Sequence, residues 1–588
     1  MRLNRIEIIG EYKSIKGTEE NLFTYTFQKS AGGYSPLCLV GLNGSGKSNF
    51  IELIADIFGY ADRYFNAQYH CAEDLPYDFF LDYQIKVEGE LKFVKLKCID
   101  SQLKMYFYDD IAYLEYLTFN YESPNRFQAL IDVTRADCNF HRLLPDNVIA
   151  YSSGHNQGLS SVFAKTQHSF FDVVRKQGVF YREYKKRIDS QKGRDFIEDD
   201  AIRQEVSKYI KKTYLANPDI FYSPPNYDRD PENYEFEYDE PLYTRKSRLP
   251  IGTFSDHSVN QLIFTSLMVN ENDQFKQFLE ENIGVTSLES FEIDFRLSDY
   301  RDLDFIREEI TQRLCKLSSD DSKFNEDTLN GVLAFKLDRE FFEKVESLYL
   351  ERSLFFENLL FINQMVAKRW SRDEKRTLKT SKFEKNVPNV SGGLAPIRFI
   401  NTKIKLKGIA EPTRYDRLSD GEHQLIQIIG SLILFDHQQS LFILDEPESH
   451  FNPEWRIEFI ELLNKYVNLE NLELMVSTHS PFILSACKSD RVLHFKKDEN
   501  SNISVNSMDL ETYGASFDSL LTSVFDLDVL ISKQPLAEIR ANLKAYDDGE
   551  ADGSETLQRL ESFGESFELN YRRNKIRQTL STDYEGES

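Results

Sequence analysis

Catching the terminal phosphates of a nucleotide takes a lysine, a run of inward-facing backbone N–H groups and a hydroxyl for the counter-ion. Gly41-Leu42-Asn43-Gly44-Ser45-Gly46-Lys47-Ser48 supplies all three and matches GxxxxGK[ST]. The glycines let the backbone turn without Cβ clashes, and Asn43 to Asn49 form the cradle. Lys47 is the residue that reaches the β- and γ-phosphates, and Ser48 supplies the Mg²⁺ ligand. A glycine-rich turn with no ligand is the bland alternative. It fits less well, because an apolar run precedes this segment and a helix-spaced one, Phe50, Leu53, Ile54, Ile57 and Phe58, follows it.

Three further constellations complete a hydrolytic site. Leu441-Phe-Ile-Leu-Asp445-Glu446-Pro447 sets two carboxylates at the end of a buried strand, Asp445 for the Mg²⁺ shell and Glu446 to orient and deprotonate water. An Asp-Glu-Pro turn is common by itself, and the upstream phosphate loop gives it meaning. Leu418-Ser419-Asp420-Gly421-Glu422-His423-Gln424 opens an amphipathic run. Ser419, Gly421 and Glu422 read both as a capping box and as an anion-binding helix start, two compatible readings. Ser477-Thr478-His479-Ser480-Pro481 ends the next apolar strand and offers His479 as a sensor of the γ-phosphate. A second metal or water ligand is sought in Tyr151-Ser-Ser-Gly154-His155-Asn156-Gln157, with Gln157 first and Asn156 or His155 as rivals.

These residues need strands that end together. Short strands are expected at Arg5–Ile9, Leu22–Phe27, Pro36–Gly41, Asn147–Tyr151, Phe442–Leu444 and Leu474–Ser477, and a hairpin over Tyr83–Ile99 turning at Glu88-Gly89. The expected organisation is an ATPase lobe over 1–165, a mostly helical insert over 166–395, a second ATPase lobe over 396–510 and a C-terminal segment, 511–588, that could dock a partner. One long helix is expected over Arg339–Trp370. The fold class is α/β, a P-loop head with a mixed sheet interrupted by that insert.

Composition bounds the partners. The 588 residues carry 71 Lys and Arg against 96 Asp and Glu, a formal net charge of −25, so nucleic-acid contact requires a local patch. The candidate is Lys368, Arg369, Arg372, Lys375, Arg376, Lys379, Lys382 and Lys385 with Trp370 among them, which reads either as a DNA or RNA contact or as an ion-paired helix end. No apolar run reaches the ~18 residues of a membrane helix, so no membrane partner is expected. Six scattered cysteines without a CxxC pair fit a reducing cytoplasm better than a disulfide or zinc scaffold. Asp547–Gly553 (DDGEADG) reads as a loop, since no strand precedes it to fix the carboxylates.

The order GLNGSGKS, LSDGE, LDEP, STHS resembles that of ABC-type ATPases. The Ser48-Asn49 ending of the loop, Tyr12-Lys13-Ser14 near the N-terminus and the large insert resemble the SMC/RecF branch, including its OLD-like members. That resemblance implies ATP and Mg²⁺ as cofactors and a head-to-tail dimer or higher oligomer. One chain would give Lys47, Asp445, Glu446 and His479, and its partner Ser419 and Gly421. Two positions depart from the pattern: Asn452 stands where transporter-type members carry Asp, and no Gln loop is obvious. Tyr151-Ser-Ser-Gly154-x-Asn156, with Tyr513-Gly-Ala-Ser516-Phe-Asp518-Ser-Leu-Leu521, resembles the PtuA-like ATPase subunits of Septu-type and retron-associated anti-phage systems. This implies a separate nuclease partner of the HNH type. After Pro481 no Toprim-like strand carboxylates appear, so no nuclease activity of its own is expected. The alternative is a DNA-repair or maintenance ATPase that binds DNA directly. A transporter subunit fits poorly, since the insert leaves no compact coupling surface.

Overall fold

Leu37–Gly41 (β4), Ser440–Asp445 (β16) and Leu472–Ser477 (β17) are buried at every residue, as strands covered on both faces must be. In a computed structural model of the chain they form the middle of a seven-stranded sheet. Its order is β10 (Gly252–Ser255), β9 (Asn147–Ser152), β16, β17, β4, β18 (Val492–Lys497) and β19 (Ile503–Ser507). Every pair is parallel except β18 with β19. The structure describes residues 1–18, 20–28, 35–65, 74–108, 130–131, 142–153, 157–189, 208–209, 212, 251–255, 257–298, 310–349, 353–365, 370–380, 395–498, 502–527, 532–565 and 567–586.

A second, antiparallel sheet has the order β2 (Ile15–Gly17), β1 (Arg2–Tyr12), β5 (Tyr77–Val87), β6 (Glu90–Ile99), β7 (Gln102–Tyr108), β8 (Leu130–Ile131), with β3 (Phe23–Thr26) also on β1. The hairpin turns at Glu88-Gly89 as expected, both with positive φ (53° and 86°), the two-residue loop that suits right-twisted strands. Helix α1 (Lys47–Phe65) starts at the phosphate loop. Its Phe50, Leu53, Ile54, Ile57 and Phe58 belong to one continuous core with both sheets.

Helices dominate the described part of 166–395: α2 (Gln157–Asp189), α3 (His257–Val269), α4 (Asp273–Asn282), α5 (Gln312–Leu317), α6 (Arg339–Leu348), α7 (Ser353–Gln364) and α8 (Arg372–Thr380). The interval also supplies β10, which joins the central sheet. Its β11 (Val285–Arg296), β12 (Asp320–Asn325) and β13 (Asn330–Lys336) build a third sheet, order β12-β13-β11-β14-β15, with β14 (Ile397–Leu406) and β15 (Thr413–Arg414). The single helix expected over Arg339–Trp370 is broken. Tyr349 adopts extended backbone (φ −121°, ψ 109°), is buried, and sets its ring edge-on to Phe355 at 5.9 Å. The 3.6-residue apolar spacing continues across the break, with no Pro or Gly to mark it.

The chain then forms α9 (Asp420–Phe435), α10 (Pro453–Tyr466) and α11 (Pro481–Ser485). Residues Met1–Gly514 make one compact unit and Ala515–Ser588 another. The second holds α12 (Phe517–Phe525), α13 (Lys533–Asp547), α14 (Gly553–Leu560) and α15 (Phe567–Gly586), with Ile539, Leu543, Leu560, Leu569 and Ile576 as a small core. The acidic run is a helix junction: Asp552 caps α14, accepting from the backbone N–H of Ser554 at 2.9 Å.

One buried carboxylate in the second sheet carries a pH signature. Asp82 is 4% exposed, 3.9 Å from Lys95, and burial pushes its pKa from 3.8 up to about 6. Because the folded value lies above the unfolded one, the contribution of Asp82 to stability is largest below 3.8 and is lost as pH rises through about 6. Asp82→Asn is expected to stabilise the protein at pH 7.5 by up to about 3 kcal/mol, with the gain vanishing near pH 4. Urea unfolding of both proteins at the two pH values checks it.

Candidate active site

Parallel strands deliver their C-terminal ends to one edge, and this topology assembles the site. Asp445 at the end of β16 is in register with Ser477 on β17 and with Ser152 on β9. Ser477 in turn pairs with Leu39 on β4. The loops that carry Gly41–Ser48, Asp445–Pro447, Ser477–Pro481 and Tyr151–Ser153 therefore leave the same edge, although β17 separates β16 from β4.

In the phosphate loop, Gly41, Gly44 and Gly46 have φ of 142°, 76° and 100°, values only glycine adopts freely. A methyl group on Gly41 would also stand 2.9 Å from Ser45 Oγ. Lys47 Nζ donates to the carbonyls of Gly41 (3.0 Å) and Leu42 (3.2 Å). Burial draws its pKa down to about 8, and the charges of Glu446 and Asp445 oppose the fall. Ser48 is half-buried at the start of α1, and Asn43 and Gly44 are exposed. Asn49 turns away from the loop and donates to Ser14 Oγ.

Glu446 sits in the left-handed region (φ 51°), the bend that carries the chain off β16, and its N–H donates to Ser477 O at 2.9 Å. Its side chain is half-exposed, and Oε1 lies 3.8 Å from His479 Nε2. Burial, then the charge of Lys47, holds His479 below the usual imidazole pKa, with Asp445 opposing. Geometry thus brings Lys47, Asp445, Glu446 and His479 together.

Glu448 was not among the candidates. It is buried, accepts from Thr478 Oγ1, and Thr478 Oγ1 accepts from Ser480 N–H at 2.9 Å. Burial raises its pKa. It straps the loop after β16 to the loop after β17 and so sets Glu446 against His479. Its sequence signal is only a third carboxylate after the pair.

Ser419 and Glu422 form the capping box read from the sequence. Glu422 Oε2 accepts from Ser419 N–H (2.6 Å) and Oγ (2.8 Å). Gly421 packs where a methyl would stand 2.7 Å from His450 O, and His450 N–H donates to Gln424 Oε1 at 3.1 Å. Asn452 caps α10, accepting from Trp455 N–H at 2.8 Å. The hydrogen bonds of Ser419 and Glu422 stay within their own turn, and the exposed start of α9 adjoins the 449–455 segment rather than the phosphate loop of the same chain.

Gln157 is the first residue of α2. Its side chain, and His155 and Asn156, lie outside the described residues. So do Lys368, Arg369, Lys382, Lys385 and the side chain of Lys379. Arg372 and Arg376 are exposed on α8, which Ser371 and Glu374 cap. Trp370 is 4% exposed and stacked on His168 at 6.4 Å, so its ring is not offered to a base.

The residues present fit ATP and Mg²⁺. Buried hydroxyls of Ser45 and Ser477 have no hydrogen-bond partner among the described residues. Ser48 and Asp445 are hard oxygen donors of the kind Mg²⁺ takes alongside phosphate and water. Among the described residues no three His, Cys, Asp or Glu side chains cluster as a metal cage, and this mode of holding Mg²⁺ needs none. No helix among the described residues is long and apolar enough to cross a membrane.

Known proteins give three likenesses. Septu protein PtuA of Bacillus thuringiensis is 20% identical over 260 residues, 42% of this chain and 61% of PtuA. Protein ea59 of Escherichia phage lambda is 27% identical over 113 residues, 19% of this chain and 21% of that protein. The chain therefore spans less than two thirds of either relative. The SMC head domain from Thermotoga maritima aligns over 87% of this chain and 100% of its own, at 12% identity and a TM-score of 0.30. The model of the AAA ATPase domain matches residues 1–484, which include the phosphate loop, Asp445, Glu446 and His479, and the chain belongs to that family.

Proposed function

We propose that the chain binds ATP with Mg²⁺ and hydrolyses it in a site shared by two copies, and that closure of this site controls a separate nuclease subunit in cytoplasmic anti-phage defence. The observation that carries the hydrolytic part is the convergence of Lys47, Asp445, Glu446 and His479 on one sheet edge. Lys47 neutralises the β- and γ-phosphates. Ser48 and Asp445 hold the metal, with Gln157 as a further ligand. Bound Mg²⁺ supplies charge neutralisation across the transferring phosphate. Glu446 takes the proton of the attacking water, and His479 contacts the γ-phosphate. Ser419 and Gly421 serve the partner's nucleotide, as the resemblance to SMC/RecF-type ATPases implies, and Ser419 and Asp420 are exposed at that helix start. The nuclease and defence parts rest on the likeness to Septu protein PtuA. An HNH-type nuclease is the expected partner.

Mixing tests the shared site. Lys47→Ala and Ser419→Arg chains, each inactive alone, are expected to recover hydrolysis together, since each heterodimer contains one intact site. Absence of recovery with heterodimers present rules out the cross-chain assignment. The chain alone is expected to leave DNA and RNA uncut with Mg²⁺ or Mn²⁺, and cleavage is expected to appear with the nuclease subunit. Robust cutting by the isolated chain would refute the division of labour.

A further inference from the structure

Helices α1 and α2 both begin at the catalytic edge, and a polar seam runs between them. Glu52, Asp56, Gly59 and Arg63 fall on one face of α1. Arg63 donates to Thr166 Oγ1 at 2.7 Å, Lys165 Nζ stands 3.6 Å from Asp56, and the Tyr77 hydroxyl donates to Asp56 at 3.0 Å. At the phosphate end of the seam, the Glu52 side chain is 4% exposed and paired with Lys13. Lys13 occupies the turn between β1 and β2 in the left-handed region (φ 52°). Beside it, Ser14 accepts from Asn49, so two consecutive residues of that turn grip the first turns of α1.

Gly158, the second residue of α2, lies directly against Glu52. A methyl group there would stand 2.7 Å from Glu52 Cδ and 2.8 Å from Oε2. Glu52 is also four residues after Ser48 on the same helix face. A carboxylate is a costly way to fill a buried contact between helices, and an apolar side chain would pack there without the desolvation penalty. It does suit the amino end of a helix, whose dipole favours negative charge.

We propose that Glu52, pinned by Lys13, is a positioning residue that fixes the start of α2, and with it Gln157, relative to Lys47 and Ser48. The proposal rests on the ATP-hydrolysis reading and adds a residue pair to it. Glu52 touches no phosphate. It sets the spacing between the start of α1, with Lys47 and Ser48, and the start of α2.

The test is a double-mutant cycle on Gly158→Ala and Glu52→Asp, reading kcat and ATP dissociation constant separately, with Lys13→Met as a variant that adds no volume. Gly158→Ala is expected to lower kcat ~10-fold or more, since small displacements of catalytic groups are costly. ATP affinity should stay within about 3-fold, because the phosphate loop is untouched. Glu52→Asp shortens the side chain by one methylene and makes room for the added methyl. The double variant is therefore expected to turn over at least ~5-fold faster than Gly158→Ala alone, a coupling that independent sites do not show. Lys13→Met should also lose kcat with affinity kept. Additive effects in the cycle, wild-type turnover by Lys13→Met, or parallel losses of affinity and kcat would overturn the positioning role. Wild-type protein that binds or hydrolyses no ATP would instead sink the underlying reading, so the two failures are told apart.

Discussion

Lys47→Ala is expected to abolish ATP turnover, with a loss on the order of 10²-fold or more. The reason lies in how the site is charged. Lys47 stands at the phosphate loop facing two carboxylates, Asp445 and Glu446, close enough for both to act on its pKa. Without the ammonium, the loop presents its glycine N–H groups to a highly anionic triphosphate while two acidic side chains repel it. Binding and chemistry should fall together, because the lost charge acts on ground state and transition state alike. Calorimetric titration with a slowly hydrolysed ATP analogue, alongside phosphate release, checks both. Unchanged affinity and turnover would remove Lys47 from the site.

Glu446→Gln is expected to separate the two steps. The amide keeps the shape of the side chain and loses the base, so hydrolysis should fall ~10²–10⁴-fold while ATP stays bound. The left-handed backbone at Glu446 and the bond from its N–H to Ser477 O are main-chain features, so the loop should keep its path. Glu448, strapped to Thr478, supports the same loop from behind. The expected species is an ATP-locked assembly, seen as a larger particle in size-exclusion chromatography with ATP than without. Hydrolysis at the wild-type rate would show that another group takes the proton.

Features that depend on local chain geometry were legible in the sequence. The glycine-rich loop, the Ser419–Glu422 capping box, the Glu88-Gly89 turn and the short apolar runs Phe442–Leu444 and Leu474–Val476 each announce themselves within a few residues. Features that depend on what packs from elsewhere were not. The break at Tyr349 follows from where its ring is buried. Glu448 and Glu52 are two carboxylates among 96 acidic residues, and only the partners Thr478 and Lys13, contributed by other strands and turns, distinguish them. Trp370 looked like an aromatic among cations, and its burial against His168 removes it from that role.

Strands β9 and β10 are neighbours at the border of the central sheet, and Val148 N–H donates to Ile251 O at 2.6 Å beside their parallel register. The chain leaves the central sheet after Ser152 and re-enters it at Gly252 on the adjacent strand. The two anchor points of this excursion are set by β16 beside β9, not by its own length. The closure entropy of such an excursion rises only with the logarithm of its size. The part of it that follows α2 can therefore be exchanged, lengthened or trimmed while the start of α2, Asp445, Glu446, His479 and the phosphate loop stay in place. Chimaeras that exchange only the residues following Asp189 and keep α2 should retain ATP turnover.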